Sequence, residues 1–348
     1  MTKVLLVGNR FRNFIDDSFL SKFEIDILDI YSLDIIIPKG YDLIVWDGNS
    51  IYPTKDKGSV LIYVGNNDVG DSLTKVFSIK ANATILVKDD NKYDLVDALG
   101  NLWCRTSDPV ELLNHIFKLY SWTKGSIRKE SLQSDSYIPF DVTNMSDMYE
   151  FCDIIKNVSN LVENKRGNRY FGNASTRCSK MFPSVIRRSS NDKSKLSGLF
   201  DYILVSKRNI SKEKIQPDDF VITKFGSSSE NCSKVLYFGN DKPSVDTPSQ
   251  LWLYTEYPNI NYMIHGHAYI SGSSEIIYTD KYCSCGDLRE VSQVKNHIQK
   301  EDCNFFIINL INHGFIIASD TLDRMRNIVN GVNFVYRNIG EELVKLSS

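Results

Sequence analysis

The chain has 348 residues, a length that predicts two domains of ordinary size or one large one. Hydrophobic residues make up 42% and charged residues 24%, which is the balance of a folded globular protein. With 41 Lys and Arg against 43 Asp and Glu, the formal net charge of −2 gives no support for a nucleic-acid-binding protein. The chain has seven cysteines and no secretion signal, which predicts a cytoplasmic protein with reduced thiols. No apolar run approaches the roughly 20 residues that span a bilayer, so no membrane partner is expected.

The first third of the chain alternates short apolar runs with polar turns. Several of these runs lack the polar alternation of a strand with one solvated face, which favours strands that are covered on both faces. The predicted strands are 3–7, 25–30, 43–46, 60–64 and 84–87.

Two helices are predicted in the same region, at 14–23 and at 110–122, where Pro109 suits a first helical turn. Strands that alternate with helices predict an α/β domain over residues 1–128, with a doubly wound parallel sheet of the flavodoxin or Rossmann type. Neither G-x-G-x-x-G nor a Walker loop follows these strands, so the role of this domain stays open. Residues 129–145 are polar and contain several serines, which predicts a linker.

Three of the five histidines stand in two short patterns of the second half. His265 and His267 alternate in a predicted strand, so their side chains point to the same side and can bind one ion. His313 lies where an apolar run breaks before another strand begins. Three neutral imidazoles that leave coordination positions open are typical of a catalytic divalent metal site, with zinc as the first choice. The alternative is a pair of histidines on a solvated strand face.

The motifs around these histidines occur in a specific order. Gly172-Asn173-Ala174-Ser175 comes first, Pro243-Ser244-Val245-Asp246-Thr247-Pro248 follows, and the H-x-H pair precedes Asn312-His313-Gly314. This order resembles the class II aldolase and adducin-head family over about residues 146–335. Asp followed by Thr-Pro is closest to its L-ribulose-5-phosphate 4-epimerase branch, whereas the L-fuculose-phosphate aldolase branch usually carries Glu there.

The resemblance implies a class II aldolase-like α/β/α catalytic domain over residues 146–348. It also implies a metal-dependent lyase or isomerase that forms a homotetramer, with zinc, or alternatively manganese, as the cofactor. The metal ligands would be His265, His267 and His313. Asp246 would act as an acid/base or as an extra ligand, Asn173 would hold the substrate through its amide, and Ser244 would help to bind a substrate phosphate.

The implied chemistry acts on a sugar or sugar phosphate through an enediolate that a divalent cation stabilises. From this enediolate an aldehyde can leave, a carbonyl can be attacked again on its other face, or a hydroxyl can be lost. Retro-aldol cleavage and epimerisation are therefore the first reading, with a sugar-phosphate dehydratase as an alternative. A different class is a non-catalytic, adducin-like interaction module in which residues 1–128 bind the partner.

The chain departs from the family pattern at two places. The glycine of the usual phosphate loop is absent, and Lys207 and Arg208 stand there, where they could bind an anionic substrate or form a solvated surface turn. The second acid/base of the epimerases has only weak counterparts. These are Glu275, Asp280 and Tyr336.

Cys283-Ser284-Cys285 lacks a second cysteine pair at zinc-site spacing, which favours two buried thiols over a structural zinc site. His115 and His297 lie on predicted helices and are interpreted as packing or surface residues.

Overall fold

The structure is a computed structural model that describes residues 2–7, 23–28, 40–47, 59–65, 68–88, 92–126, 131–135, 146–159, 165–166, 169–178, 202–229, 232–283, 285–299 and 302–335. The predicted helix at 14–23 lies outside these ranges. The chain divides into two compact units, one mainly of Met1–Ile127 and the other of Arg128–Lys165 and Arg169–Arg337. The domain limits expected at 128 and 146 stay predictions. In the described ranges no helix is long and apolar enough to cross a membrane.

The first unit contains a mixed sheet. Its described strands are β1 (Thr2–Val7), β2 (Phe23–Leu28), β3 (Leu43–Trp46), β4 (Val60–Gly65), β5 (Ala83–Val87), β6 (Tyr93–Asp97) and β7 (Leu102–Thr106). They lie in the order β2-β1-β3-β4-β5-β6-β7.

The first five strands pair in parallel, whereas β6 and β7 are antiparallel to their neighbours. The prediction of a mixed α/β fold is confirmed, and the last two strands depart from the expected parallel sheet. Only a few residues separate β5 from β6 and β6 from β7, which explains this difference, because a parallel neighbour requires a long crossover connection.

Two described helices pack on opposite faces of this sheet. Helix α1 (Val69–Ser78) contacts one set of strand side chains, and α2 (Pro109–Ser126) contacts the alternating set. On β1, for example, Leu5 packs with Val76 of α1, whereas Leu6 packs in the cluster that contains Leu112 of α2. Successive residues of a strand point to opposite faces, so the two helices cover different sides.

The second unit is built around a larger sheet in the order β17-β18-β19-β15-β11-β12-β13-β14-β8. The described strands are β8 (Ser131–Asp135), β9 (Lys165–Arg166), β10 (Arg169–Tyr170), β11 (Asn173–Arg177), β12 (Ile203–Ser206), β13 (Phe220–Ser229), β14 (Cys232–Phe238), β15 (Tyr262–Gly266), β16 (Tyr269–Ser271), β17 (Ile276–Tyr278), β18 (Phe305–Leu310), β19 (Gly314–Ser319) and β20 (Asn333–Val335). Strands β9 and β10 form a separate pair, as do β16 and β20. Strand β8 lies inside the segment expected to be a linker and pairs in parallel with β14 at the sheet edge.

Helices cover both faces of this sheet, which gives an α/β/α layering among the described residues. Helices α3 (Ser146–Asn157) and α6 (Leu322–Gly331) pack on one face, and α4 (Thr247–Glu256) and α5 (Arg289–His297) pack on the other. In β15, Ile264 packs in the cluster that contains residues of α3 and α6, while Met263 packs in the cluster that contains residues of α4 and α5. His265 follows Met263 by two residues and therefore faces the α4 and α5 layer.

Candidate metal centre

Strand register aligns the predicted site residues across three neighbouring strands. Asn173 of β11 lies opposite His265 of β15, which in turn lies opposite Ile316 of β19. Residues directly opposite each other in an antiparallel pair point to the same face of the sheet. Asn173 and His265 therefore share the face that α4 and α5 cover. His267 lies one residue beyond the end of β15.

A tight turn supplies His313. Strands β18 and β19 are joined by residues 311–313, and Asn312 adopts a left-handed backbone with φ of 56°. Asparagine tolerates this conformation better than most residues that carry a side chain. The backbone N–H of His313 donates to Leu310 O at 3.0 Å and closes the turn.

Gly314 allows the two histidine-bearing segments to approach each other. A β-carbon at this position would collide with the backbone carbonyl of Gly266 and would crowd the Cα of His267. The predicted motif Asn312-His313-Gly314 thus contains a glycine for a steric reason rather than for a special backbone angle.

We expect Gly314→Ala to weaken metal binding by at least about tenfold and to lower the free energy of unfolding by about 1–3 kcal/mol, because β15 and β19 must separate. Gly331→Ala is the matched control, since a β-carbon there meets nothing within 4 Å. Calorimetric metal titration and chemical denaturation measure both quantities. Unchanged values for Gly314→Ala would show that this close approach is unnecessary.

The three predicted ligand histidines converge. One ring nitrogen from each of His265, His267 and His313 lies within 4.8 Å of the other two. The ring centroids are 5.2 Å apart for His265 and His267, 4.9 Å for His265 and His313, and 5.1 Å for His267 and His313. His265 and His313 are only 3% and 1% exposed, and His267 is half-buried with its ring 5.3 Å from that of Phe171. The alternative of a solvated strand face does not hold for these positions.

Hydrogen bonds at Nδ1 orient two of the rings. His265 Nδ1 donates to Phe315 O at 2.8 Å, because a carbonyl oxygen can only accept. His313 Nδ1 lies 2.9 Å from Glu290 Oε2, so this nitrogen holds a proton beside the carboxylate. Such partners are typical of metal-binding histidines, since they fix the ring and direct Nε2 at the ion.

His265 Nε2 is buried and has no hydrogen-bond partner among the described residues. Burial, with His313 nearby, lowers the pKa of His265, so the neutral ring leaves a lone pair at this nitrogen. Burial alone would also lower the pKa of His313, but Cys285 and Glu290 beside it raise that pKa well above its ordinary value. His265 therefore offers a lone pair, and the groups that favour positive charge at His313 equally favour a cation that replaces the proton at its Nε2. This donor set suits a divalent cation.

Cys285 also contacts the triad, which the sequence did not predict. Its Sγ lies 3.4 Å from His313 Nε2 and 3.7 Å from His267 Nε2. Burial raises the pKa of the Cys285 thiol. Cys283, two residues earlier, is a buried thiol, as the sequence predicted. The C-x-C pattern gave no reason to connect Cys285 with histidines 18 and 28 residues away.

Asp246 lies at the start of α4, where it faces His265 rather than capping the helix. Its Oδ2 lies 3.9 Å from His265 Nε2 and accepts a hydrogen bond from Asn173 Nδ2 at 2.7 Å. Gln250 Nε2 donates to Asn173 Oδ1, which fixes the direction of the Asn173 amide. Asp246 Oδ1 is buried without a partner among the described residues. Asn173 thus orients Asp246 and keeps one amide hydrogen for another acceptor.

The predicted phosphate-binding residues lie beside the loop that leads to Asp246. Ser244 is buried, and its hydroxyl lies 3.4 Å from Asp246 Oδ2. The backbone N–H of Ser244 donates to Ser206 O at 3.2 Å, which places the end of β12 next to this loop. Lys207 Nζ forms an ion pair with Asp241 at 3.0 Å, and the exposed Arg208 donates through Nε to Pro243 O at 3.1 Å. Both basic residues are therefore adjacent to Ser244 in the fold.

Of the weaker acid/base candidates, the two that the structure describes do not reach the triad. Glu275 is exposed in the turn before β17, and Asp280 is exposed and pairs with His297 at 3.2 Å. Tyr336 lies outside the described residues. In the first unit, ligand atoms of Cys104, Glu111 and His115 also lie within 4.8 Å of one another, but Glu111 already accepts a hydrogen bond from Thr106 at 2.5 Å.

Sequence reasoning missed Glu290 and Gln250 as well as Cys285. Glu290 holds His313, and Gln250 holds Asn173, through side-chain contacts that no local motif reveals. Gln250 stands in the segment after Asp246, so its position four residues along α4 was the one signal available.

An α/β/α domain with a buried three-histidine cluster beside a carboxylate defines a candidate metal-dependent enzyme domain. Residues 152–273 match the family described as the Class II Aldolase and Adducin N-terminal domain. The second unit of this chain therefore carries a domain of the class II aldolase and adducin family. Among curated proteins, no sequence matches the chain.

Solved structures show only a distant likeness. An L-fuculose 1-phosphate aldolase is 16% identical over 55% of this chain and 84% of its own, with a TM-score of 0.37. An aldolase II superfamily protein from Pseudomonas syringae is 10% identical over 54% and 73%, with a TM-score of 0.35. The L-fuculose-1-phosphate aldolase from Thermus thermophilus is 10% identical over 53% and 89%, with a TM-score of 0.30. At these values the likeness carries no argument about function.

Proposed function

We propose that the chain is a divalent-metal-dependent enzyme of the aldolase or epimerase type that acts on a sugar or sugar phosphate. The observation that carries the proposal is the convergence of His265, His267 and His313. His265 Nε2 is buried without a hydrogen-bond partner in the described part of the chain, and the Asp246 carboxylate lies 3.9 Å from it. An interaction module has no use for a buried nitrogen lone pair and a buried carboxylate oxygen that both lack partners, because each costs stability.

A divalent cation held by these histidines supplies Lewis-acid polarisation of a substrate carbonyl and the adjacent hydroxyl. The three imidazoles themselves add no negative charge to the cation. Glu290 and the Phe315 carbonyl hold two of the rings in place through their Nδ1 atoms. Zinc is the first choice for imidazole ligands, with manganese as the alternative.

Asp246 is the residue that moves a proton in this proposal. Asn173 binds Oδ2 and so fixes the carboxylate, while Oδ1 is left to take the proton of a substrate hydroxyl and return it. The same proton transfer serves aldol cleavage and epimerisation, and loss of a hydroxyl would make the enzyme a dehydratase. Asn173 has one further amide hydrogen with which it could hold the substrate.

Metal analysis and a substrate screen test the proposal together. We expect one zinc or manganese ion per chain in the protein as purified. We also expect turnover of a ketose or ketose phosphate, followed both as aldehyde release and as epimer formation. The proposal would be contradicted if the purified protein contained no metal, kept the same stability when zinc was added and turned over none of these substrates with zinc present. That result would favour the adducin-like module. Homo-oligomer formation stays a prediction from the family resemblance, and a cytoplasmic location stays a prediction from the sequence.

Variants of Lys207 and Arg208 test whether the substrate carries a phosphate. We expect the double change to Ala to raise KM for a phosphorylated ketose about tenfold and to leave KM for its dephosphorylated analogue nearly unchanged, because charge-assisted contacts to phosphate are lost. Arg208 should account for most of the effect, since Asp241 already neutralises Lys207. Steady-state kinetics with both substrates provide the measurement. Equal effects on the two KM values would show that both residues belong to a solvated surface turn and do not bind phosphate.

A further inference from the structure

We propose that Cys285 is a fourth protein ligand, so that the cation is bound by three imidazoles and one thiolate. This inference rests on the proposed function, because it requires a cation at the histidine triad. The motifs by which the chain resembles its family do not include Cys285.

The two distances from the sulfur to His267 and His313 fit a tetrahedral set of ligands. With Zn–N of about 2.0–2.1 Å and Zn–S of about 2.3 Å, nitrogen and sulfur ligands of one zinc ion lie about 3.5 Å apart. Cys285 Sγ lies 3.4 Å from His313 Nε2 and 3.7 Å from His267 Nε2, on either side of this value. The three histidine nitrogens lie within 4.8 Å of one another, and each needs to move by less than about 1 Å to reach bonding distance of a common ion.

The buried His265 Nε2 is an independent observation that points to the same ion. This nitrogen belongs to a side chain only 3% exposed and has no partner among the described residues, whereas the other two Nε2 atoms face the sulfur. A hydrogen bond from the thiol to His313 would satisfy that ring alone. One cation at the centre satisfies all three nitrogens and the sulfur together.

The carboxylate and the sulfur approach the triad beside different histidines. Asp246 lies next to His265, while Cys285 lies next to His267 and His313. The thiolate can therefore complete the coordination while Asp246 remains free to move a proton. A soft thiolate ligand also selects zinc over manganese or magnesium, which prefer oxygen ligands. Substrate would then bind by expanding the coordination number or by displacing the sulfur.

Cobalt(II) substitution of the full-length protein tests the proposal without reference to activity. A thiolate bound to cobalt gives an intense near-ultraviolet charge-transfer band, because electron density moves from sulfur to the metal. We expect this band in the wild type together with the visible bands of four-coordinate cobalt. Cys285→Ser should keep the bound cobalt, lose the near-ultraviolet band and bind zinc at least about tenfold more weakly. Cys303→Ser is the matched control and should leave both the spectrum and the zinc affinity unchanged.

The outcomes separate this inference from the proposed function. Bound cobalt without the near-ultraviolet band in the wild type, or the same band in Cys285→Ser, would overturn the thiolate ligand and leave the histidine site intact. If the wild type binds neither cobalt nor zinc, both proposals fail. Should Cys285→Ser not fold, the wild-type spectrum alone decides, since the thiolate band requires a cysteine ligand.

Discussion

His265→Ala is expected to abolish metal binding and catalysis together. The change removes a buried nitrogen that has no other partner and leaves two imidazoles, so the metal Kd should rise by at least about 100-fold. Turnover should fall to background at metal concentrations that saturate the wild type. Elemental analysis after gel filtration, with activity measured on the same sample, checks both results.

Two further variants separate metal loss from misfolding. His265→Asn retains an N–H that can donate to Phe315 O in place of Nδ1, but it lacks the nitrogen that faces the triad. It should fold and still fail to bind metal. His297→Ala is the matched control, because His297 lies on α5 and pairs with Asp280 instead. Full metal content in His265→Asn would remove His265 from the ligand set.

Asp246→Asn is expected to keep the metal and to lose most of the turnover. The amide has nearly the shape of the carboxylate and its oxygen can still accept from Asn173, but it cannot take up a proton at the working pH. General acid–base catalysis contributes about 10²–10⁴-fold, so kcat should fall by this factor while KM changes little. Metal content and kcat are measured on the same preparation.

Asp241→Asn is the control for this experiment, since Asp241 is exposed and pairs with Lys207. It should retain nearly full kcat. Wild-type turnover in Asp246→Asn would exclude Asp246 from the mechanism. Loss of the metal together with kcat would instead make Asp246 a ligand, which would contradict its assignment as the proton carrier.

Several features of this site could be predicted because their causes are local in the chain. The H-x-H spacing and the turn at Asn312 each depend on neighbouring residues only. The glycine after His313 can be read from the motif, but its steric cause is the backbone of Gly266 on a strand distant in sequence. The helix after Pro109 has a local cause as well, since Asp108 Oδ1 accepts from Val110 N at 2.9 Å.

Other features depend on residues that are distant in sequence. Cys285 was interpreted as an ordinary buried thiol, because a C-x-C pair has no zinc-site spacing by itself. Its contact with His313 joins two residues 28 positions apart in the sequence. Strands β6 and β7 were not among the predicted strands, because charged residues interrupt their short apolar runs.

The sequence by itself determined which residues to examine, because it placed three imidazoles and one carboxylate in motifs whose order and spacing resemble one family. The tertiary structure decided which atoms meet. Register across β11, β15 and β19 brings Asn173 and His265 to one face, and α4 directs Asp246 at them. Glu290 and Cys285 come from a separate segment of the chain and pack against His313. Such contacts follow from sheet register and helix packing, which bring together side chains too far apart in sequence for any local pattern to connect them.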